Sequence, residues 1–168
     1  MPESKRLYLY GGAYATTDDA RADLEHLREL HSDKHIGRYD AVAISKEPDG
    51  SVAVMDIDAT VAGKGAWKGA LVGGALMVLF PPSVLAGAAV GAAAGAIAND
   101  MNKRISRGDA DALAELLAPG ESGVLVVVED LEDAYASAVL RRATRQQALA
   151  IDADADVVEE ALRAARSE

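Results

Sequence analysis

The sequence predicts an α+β fold, with ferredoxin-like strand-helix-strand halves around an inserted glycine-zipper α-helical hairpin. Three observations lead there. Short β-branched or aromatic runs alternate with segments whose leucines recur at helical spacing, the signature of a chain mixing strands and helices. The two ends mirror each other, each carrying a strand, a helix and a further strand, which pack most economically as helices on one sheet. Between the two ends, no residue from Gly69 to Asn99 is charged.

With 168 residues the chain is long enough to bury one core. The expected organisation is a first α+β half over 1–59, the inserted hairpin over 60–108 and a second α+β half over 109–168, folded together as one unit.

In order, "RLYLYGGAYA" reads as a strand. "TTDDARADLEHLRELHSDKHIG" reads as a helix, with a Thr/Asp start signal and Leu24, Leu27 and Leu30 on one face. "RYDAVAIS" and "SVAVMDIDATV" alternate as strands do, and the Pro-Asp-Gly chemistry of "KEPDG" joins them as a hairpin. "DADALAELLAPG" is a short amphipathic helix stopped by Pro119 and Gly120. "SGVLVVVED" is a continuous β-branched run and hence a buried strand. "LEDAYASAVLRRAT" reads as a helix, "RQQALAIDA" as a strand, and "DADVVEEALRAARSE" as a closing helix.

The uncharged stretch carries the functional expectations. Pro81 and Pro82 break it after Phe80, because proline lacks an N–H and pushes the preceding residue out of helical space. Two arms result, Gly65 to Phe80 and Ser83 to Asn99, each about 24 to 26 Å long against a bilayer core of about 30 Å. Glycine recurs every fourth residue, at Gly65, Gly69 and Gly73 in the first arm and at Gly87, Gly91 and Gly95 in the second. Ala88, Ala92 and Ala96 widen the small-residue face. Each glycine costs a helix about 1 kcal/mol relative to alanine, so close packing against another helix must offset it.

Charge outside the arms points to topology. The whole chain carries −10, yet Thr60 to Gly108 holds Lys64, Lys68, Lys103, Arg104 and Arg107 against Asp100 alone, a local +4 that leaves −14 elsewhere. A hairpin brings Lys64 and Lys68 to the same side as Lys103, Arg104 and Arg107, a cationic collar suited to anionic headgroups, with Trp67 placed as an interfacial anchor.

The expectation is therefore a non-enzymatic, self-associating protein. Its acidic α+β domain lies in the cytoplasm, and its hairpin contacts the inner face of the cell membrane, making membrane lipid a partner. The alternative is a soluble homo-oligomeric structural or scaffolding protein with the hairpins buried between subunits, since uncharged alanine-rich helices also fill the centres of assemblies. Either way a homo-oligomer is expected. The acidic balance argues against nucleic acid, which selects clustered Lys and Arg. There is no cysteine, hence no disulfide or thiolate chemistry. The start, "MPESKRLYLYGGAYATTDD", is a poor secretory signal.

Several motifs touch on chemistry, but none has the context that chemistry requires. Gly63, Gly65 and Gly69 superficially resemble a dinucleotide fingerprint but lack the acid about 20 residues on. Asp152, Asp154 and Asp156 alternate like a calcium loop, but Val157 and Arg163 stand where Gly and Glu are required. One of these aspartates is expected to cap the last helix instead. His31 and His35 are four apart without a third ligand, so no metal is expected. Ser122 in "GESGV" has Val124 where a nucleophile elbow needs glycine. Glu25 and Glu29, like Asp18 and Asp19, read as a solvated helix face. No catalytic residue and no cofactor is expected.

The order of features in "YDAVAISKEPDGSVAVMDIDATVAGKGAWKGALVGGALMVLFPPSVLAGAAVGAAAGAIAND", followed by "LLAPGESGVLVVVED", resembles the bacterial family named domain of unknown function 1269. The resemblance covers roughly Tyr39 to Leu140. It implies a strand hairpin, a glycine-zipper hairpin and a Pro-Gly turn into a hydrophobic strand, in a membrane-associated or self-associating protein, and it brings no reaction or catalytic residue with it.

Overall fold

The structure, a computed structural model, describes residues 6–36, 39–59, 70–80, 84–86, 98–99, 101–129 and 140–154. Over these residues the fold is mixed α+β. Strands β1 (Arg6–Tyr14), β2 (Tyr39–Lys46), β3 (Val52–Ala59), β4 (Leu85–Ala86), β5 (Ser122–Glu129) and β6 (Arg145–Asp154) form one sheet in the order β4-β3-β2-β5-β1-β6. Only β3 and β4 run parallel; every other neighbouring pair is antiparallel. Thus β5 fills the gap between β1 and β2, and β1 fills the gap between β5 and β6.

Strand alternation buries both faces of this sheet. Leu7, Leu9, Val42, Ile44, Leu125 and Val127 point into one core, while Tyr10, Tyr14, Tyr39, Ala41, Val124, Val126 and Val128 point into the other. A central strand enclosed on both sides needs no polar face, which explains the unbroken apolar run Val124–Val128.

Helix α1 (Thr17–Ser32) covers the tyrosine-bearing face. It starts where Thr16 Oγ1 accepts the Asp19 amide at 3.1 Å, and Asp18 and Asp19 complement the dipole of its first turn. Ala20, Leu24, Leu27 and Leu30 recur on its buried side. The other face is covered by α2 (Ala70–Leu79) and α3 (Arg107–Glu115), together with Met101 and Ile105. The β2–β3 hairpin turns as its Pro-Asp-Gly chemistry predicts, with Gly50 at φ +92° and Asp49 Oδ1 accepting from both the amide and the hydroxyl of Ser51. Those bonds, the hydroxyl's first, hold the Asp49 carboxyl below its usual range.

The membrane-contacting reading is overturned here. Among the described residues no helix is long and apolar enough to cross a membrane. α2, the described part of the first arm, has 10 residues, about 15 Å of helix against a bilayer core of about 30 Å. Moreover the large apolar side chains of its last turn are already committed. Leu76, Val78, Leu79 and the following Phe80 are buried with Val42, Ile44, Leu125 and Val127, and α2 touches β2, β5 and α3. Burying a side chain of this kind is worth about 2 kcal/mol, so this face has no reason to turn toward lipid. The descriptions "membrane-associated" and "glycine zipper", membrane lipid as a partner and association with the inner membrane face are corrected with it: the described arm is an interior layer of the domain.

The second arm also differs from expectation. Leu85 and Ala86 do not continue a helix begun at Ser83 but pair in parallel with Val52 and Ala53 of β3. Beyond a single 3-10 residue at Val84, helical backbone in this region is described at 98–99 and 101–102. The helices expected after β5 and at the chain's end lie outside the described residues, apart from Leu140–Arg142, which form a turn.

Candidate functional site

Of the small residues expected to pack helices together, Gly73 alone lies among the described residues. Gly65, Gly69, Gly87, Gly91, Gly95, Ala88, Ala92 and Ala96 lie outside them, as do Pro81, Pro82, Lys64, Trp67 and Lys68. Gly73 is half-buried and so is Met77 one turn on, whereas Gly74, Ala75, Leu76, Val78, Leu79 and Phe80 are buried. Among the residues of α2 whose burial is described, the accessible ones are Gly73 and Met77, one turn apart on one face.

Among the basic residues after the second arm, Arg107 is engaged within the fold. Arg107 Nη2 donates to the Val78 carbonyl at 3.1 Å, and its Nε donates to Asp111 Oδ1 at 3.1 Å. A guanidinium on the last turn of α2 satisfies a carbonyl that the helix cannot, and complements the negative end of its dipole. Lys103 is exposed and Arg104 half-buried.

A buried polar cluster, missed in the sequence, joins three distant segments. Asp23, on the core-facing side of α1, is fully buried. Its Oδ2 accepts from the Tyr14 hydroxyl at 2.7 Å and from the Arg142 amide at 2.9 Å, while Oδ1 has no hydrogen-bond partner. Arg142 Nη1 reaches Asp19 Oδ1 at 3.3 Å. One turn along α1, both ring nitrogens of His26 are buried without a hydrogen bond; the Glu29 carboxylate stands 3.6 Å from Nδ1, an ion-pair distance too long for a hydrogen bond. Burial first, then the hydrogen bond to Asp23 and the charges of Asp23 and Asp19, push the Tyr14 hydroxyl far above its ordinary value. Tyr14 therefore remains a neutral donor at any physiological pH. Both side chains are completely enclosed, so the pair acts as a tie between β1, α1 and the turn before β6. The signal was legible: Asp23 sits among Ala20, Leu24 and Leu27 on the apolar stripe, where an acid requires a donor.

A second polar group closes the opposite side of that strand end. Gly120, at φ +87°, donates to the Lys46 carbonyl at 2.6 Å, and Glu121 Oε1 accepts from the Ala118 amide at 2.8 Å and from Arg145. Ser122, rejected as a nucleophile, is buried with its Oγ 3.0 Å from Thr17 Oγ1. His31 stacks edge-on to Tyr39 with ring centroids 5.9 Å apart. No group of three or more His, Asp or Glu residues able to hold a metal occurs among the described residues. Asp152 and Asp154 belong to β6, and Asp156 lies outside the described residues.

No curated protein and no solved structure matches the chain. A family model matches residues 62–166; it begins after the β2–β3 hairpin, which the resemblance includes, and continues past Leu140. The match spans more than half of the sequence, and the chain belongs to the family described as "Protein of unknown function (DUF1269)".

Proposed function

We propose that this is a non-catalytic, soluble, homo-oligomeric structural or scaffolding protein of the cytoplasm, in which the uncharged segment packs between copies. The observation that carries the reading is the strip at Gly73 and Met77. α2 packs Leu76, Val78 and Leu79 on its own sheet and leaves Gly73 and Met77 half-buried, where a second backbone can approach closely. The charge outside the insert supports a soluble surface around such a contact. Enclosure of the Tyr14–Asp23 pair supports a structural role for that buried acid.

The finer architecture belongs to the same proposal. The order β6-β1-β5-β2 is the strand order of a ferredoxin-like sheet, with α1 crossing from β1 to β2 and a second crossover from β5 to β6. The stretch from β3 to α3 is then an insertion that covers the face such sheets otherwise leave open.

Sedimentation velocity on the chain and on Gly73→Leu tests the reading. The chain should sediment as a multiple of its monomer mass, and the leucine should lower that mass while leaving the circular dichroism spectrum intact. A chain that stays monomeric at every concentration, or an assembly indifferent to the leucine, would refute it.

A further inference from the structure

We infer that the outer edge of β6 is a self-pairing surface, on which a second copy of this chain lays its own β6 antiparallel and continues the sheet across a two-fold axis. The inference rests on the self-association reading and gives it a second, specific contact.

β6 is the last strand of the sheet and, among the described residues, pairs only with β1. From Arg145 to Ile151 it matches Ala13 to Leu7 without a slip, an unbroken stretch of about 23 Å whose outer N–H and C=O groups face away from the sheet. Edge strands are normally blunted by shortness, proline, lysine or a bulge. The opposite edge follows that rule: β4 covers Val52 and Ala53 with 2 residues, and the rest of β3 carries Asp56 and Asp58 and a register shift against β2. β6 does not: Gln146 to Ile151 contains no charge, no proline and no glycine, and the register shift falls beyond Ile151. Arg145, Gln146 and Ala148 are exposed.

Charge order selects the occupant. Arg141, Arg142 and Arg145 stand at the start of this strand, Arg142 and Arg145 also bridging to Asp19 and Glu121 of their own chain, and Asp152 and Asp154 stand at its end. An identical strand laid antiparallel brings the basic end of one copy alongside the acidic end of the other, whereas a parallel one opposes like charges. Such a contact is isologous and closes as a dimer. With the unbroken stretch centred on Ala148, that residue faces its own counterpart across the axis.

The chain has no cysteine, so single cysteines report the contact directly. Under mild oxidation Ala148→Cys should give a covalent dimer at least tenfold faster than Asn102→Cys, which is exposed outside the strand. Gln146→Cys and Ala150→Cys bracket the centre, and preferential cross-linking at any of the three supports the pairing. Ala148→Lys, which sets two ammonium groups against each other on an exposed position, should raise the dissociation constant at least tenfold with an unchanged circular dichroism spectrum. Cross-linking no faster than at Asn102→Cys, or an assembly indifferent to Ala148→Lys, overturns the inference. If Gly73→Leu still lowers the mass in that case, the helix reading survives alone; a chain that is monomeric throughout overturns both.

Discussion

At Gly11 the chain has removed a side chain so that a helix can lie on the sheet. A Cβ there would stand 2.7 Å from Leu113 Cδ1 and 3.3 Å from Leu125 Cδ2, while one on Gly123 would meet Leu117 Cδ1 and the Gly12 carbonyl oxygen, each at 3.2 Å. Gly11 opposes Leu125 and Gly123 opposes Ala13, so the two glycines are diagonal neighbours on the face covered by α3. A glycine in a strand interior ordinarily weakens it, and alanine would be favoured if there were room. Here the buried Leu113 must move instead. Gly11→Ala should therefore destabilise by about 1 to 2 kcal/mol, the usual cost of overpacking, and should cost measurably less when Leu113→Ala has already opened the space. Urea unfolding of the four members of that cycle checks it; a stabilised single variant would mean that α3 yields to the methyl group.

The same contact shows how elements are joined. α3 starts at Ser106, whose Oγ accepts the Asp109 amide at 3.1 Å, and the next residue, Arg107, holds the last turn of α2. Ser106→Ala should cost about 1 kcal/mol and Ser106→Gly only a few tenths, because glycine tolerates the cap conformation and leaves the amide open to water. Equal losses in chemical unfolding would show that the hydroxyl does not carry the cap. Elements of this kind were legible because their signals are local: a Thr or Ser before an acid, leucines at Leu24, Leu27 and Leu30, a Pro-Asp-Gly turn, a valine run. The second arm was not. An alanine- and glycine-rich stretch has too little apolar contrast to reveal a period, and Leu85 and Ala86 became strand because the edge of β3 was there to pair with. The membrane expectation failed for a related reason. An uncharged helix reads the same whether lipid or a sheet covers it, and only Val42, Ile44, Leu125 and Val127 show which. Of the site, Asp23 was visible as an acid on an apolar stripe, but its partners come from Tyr14 and Arg142, separations that no local pattern encodes.

Across the whole molecule, the Tyr14–Asp23–Arg142 tie fastens the first strand, the helix on its face and the turn that enters the last strand. Its energetics are set by a hydroxyl that cannot ionise in place. In the unfolded chain Tyr14 loses its proton near its ordinary value of 10.0, whereas burial and the adjacent carboxylates raise that value in the fold. The folded state thus binds the proton more tightly. The stability that Tyr14 contributes is complete below pH 10 and declines as pH rises above it, by up to about 1.4 kcal/mol per pH unit. Tyr14→Phe is the comparison that isolates the effect. At neutral pH the variant should be less stable by about 1 to 2 kcal/mol, since Asp23 Oδ2 loses a buried donor and Oδ1 already has none. Above pH 10 the chain should lose stability faster than the variant, so that the two curves of unfolding free energy against pH converge and then cross. Curves that stay parallel from pH 8 to pH 11 would show that hydroxide reaches Tyr14 without unfolding, and that the tie opens while the sheet holds.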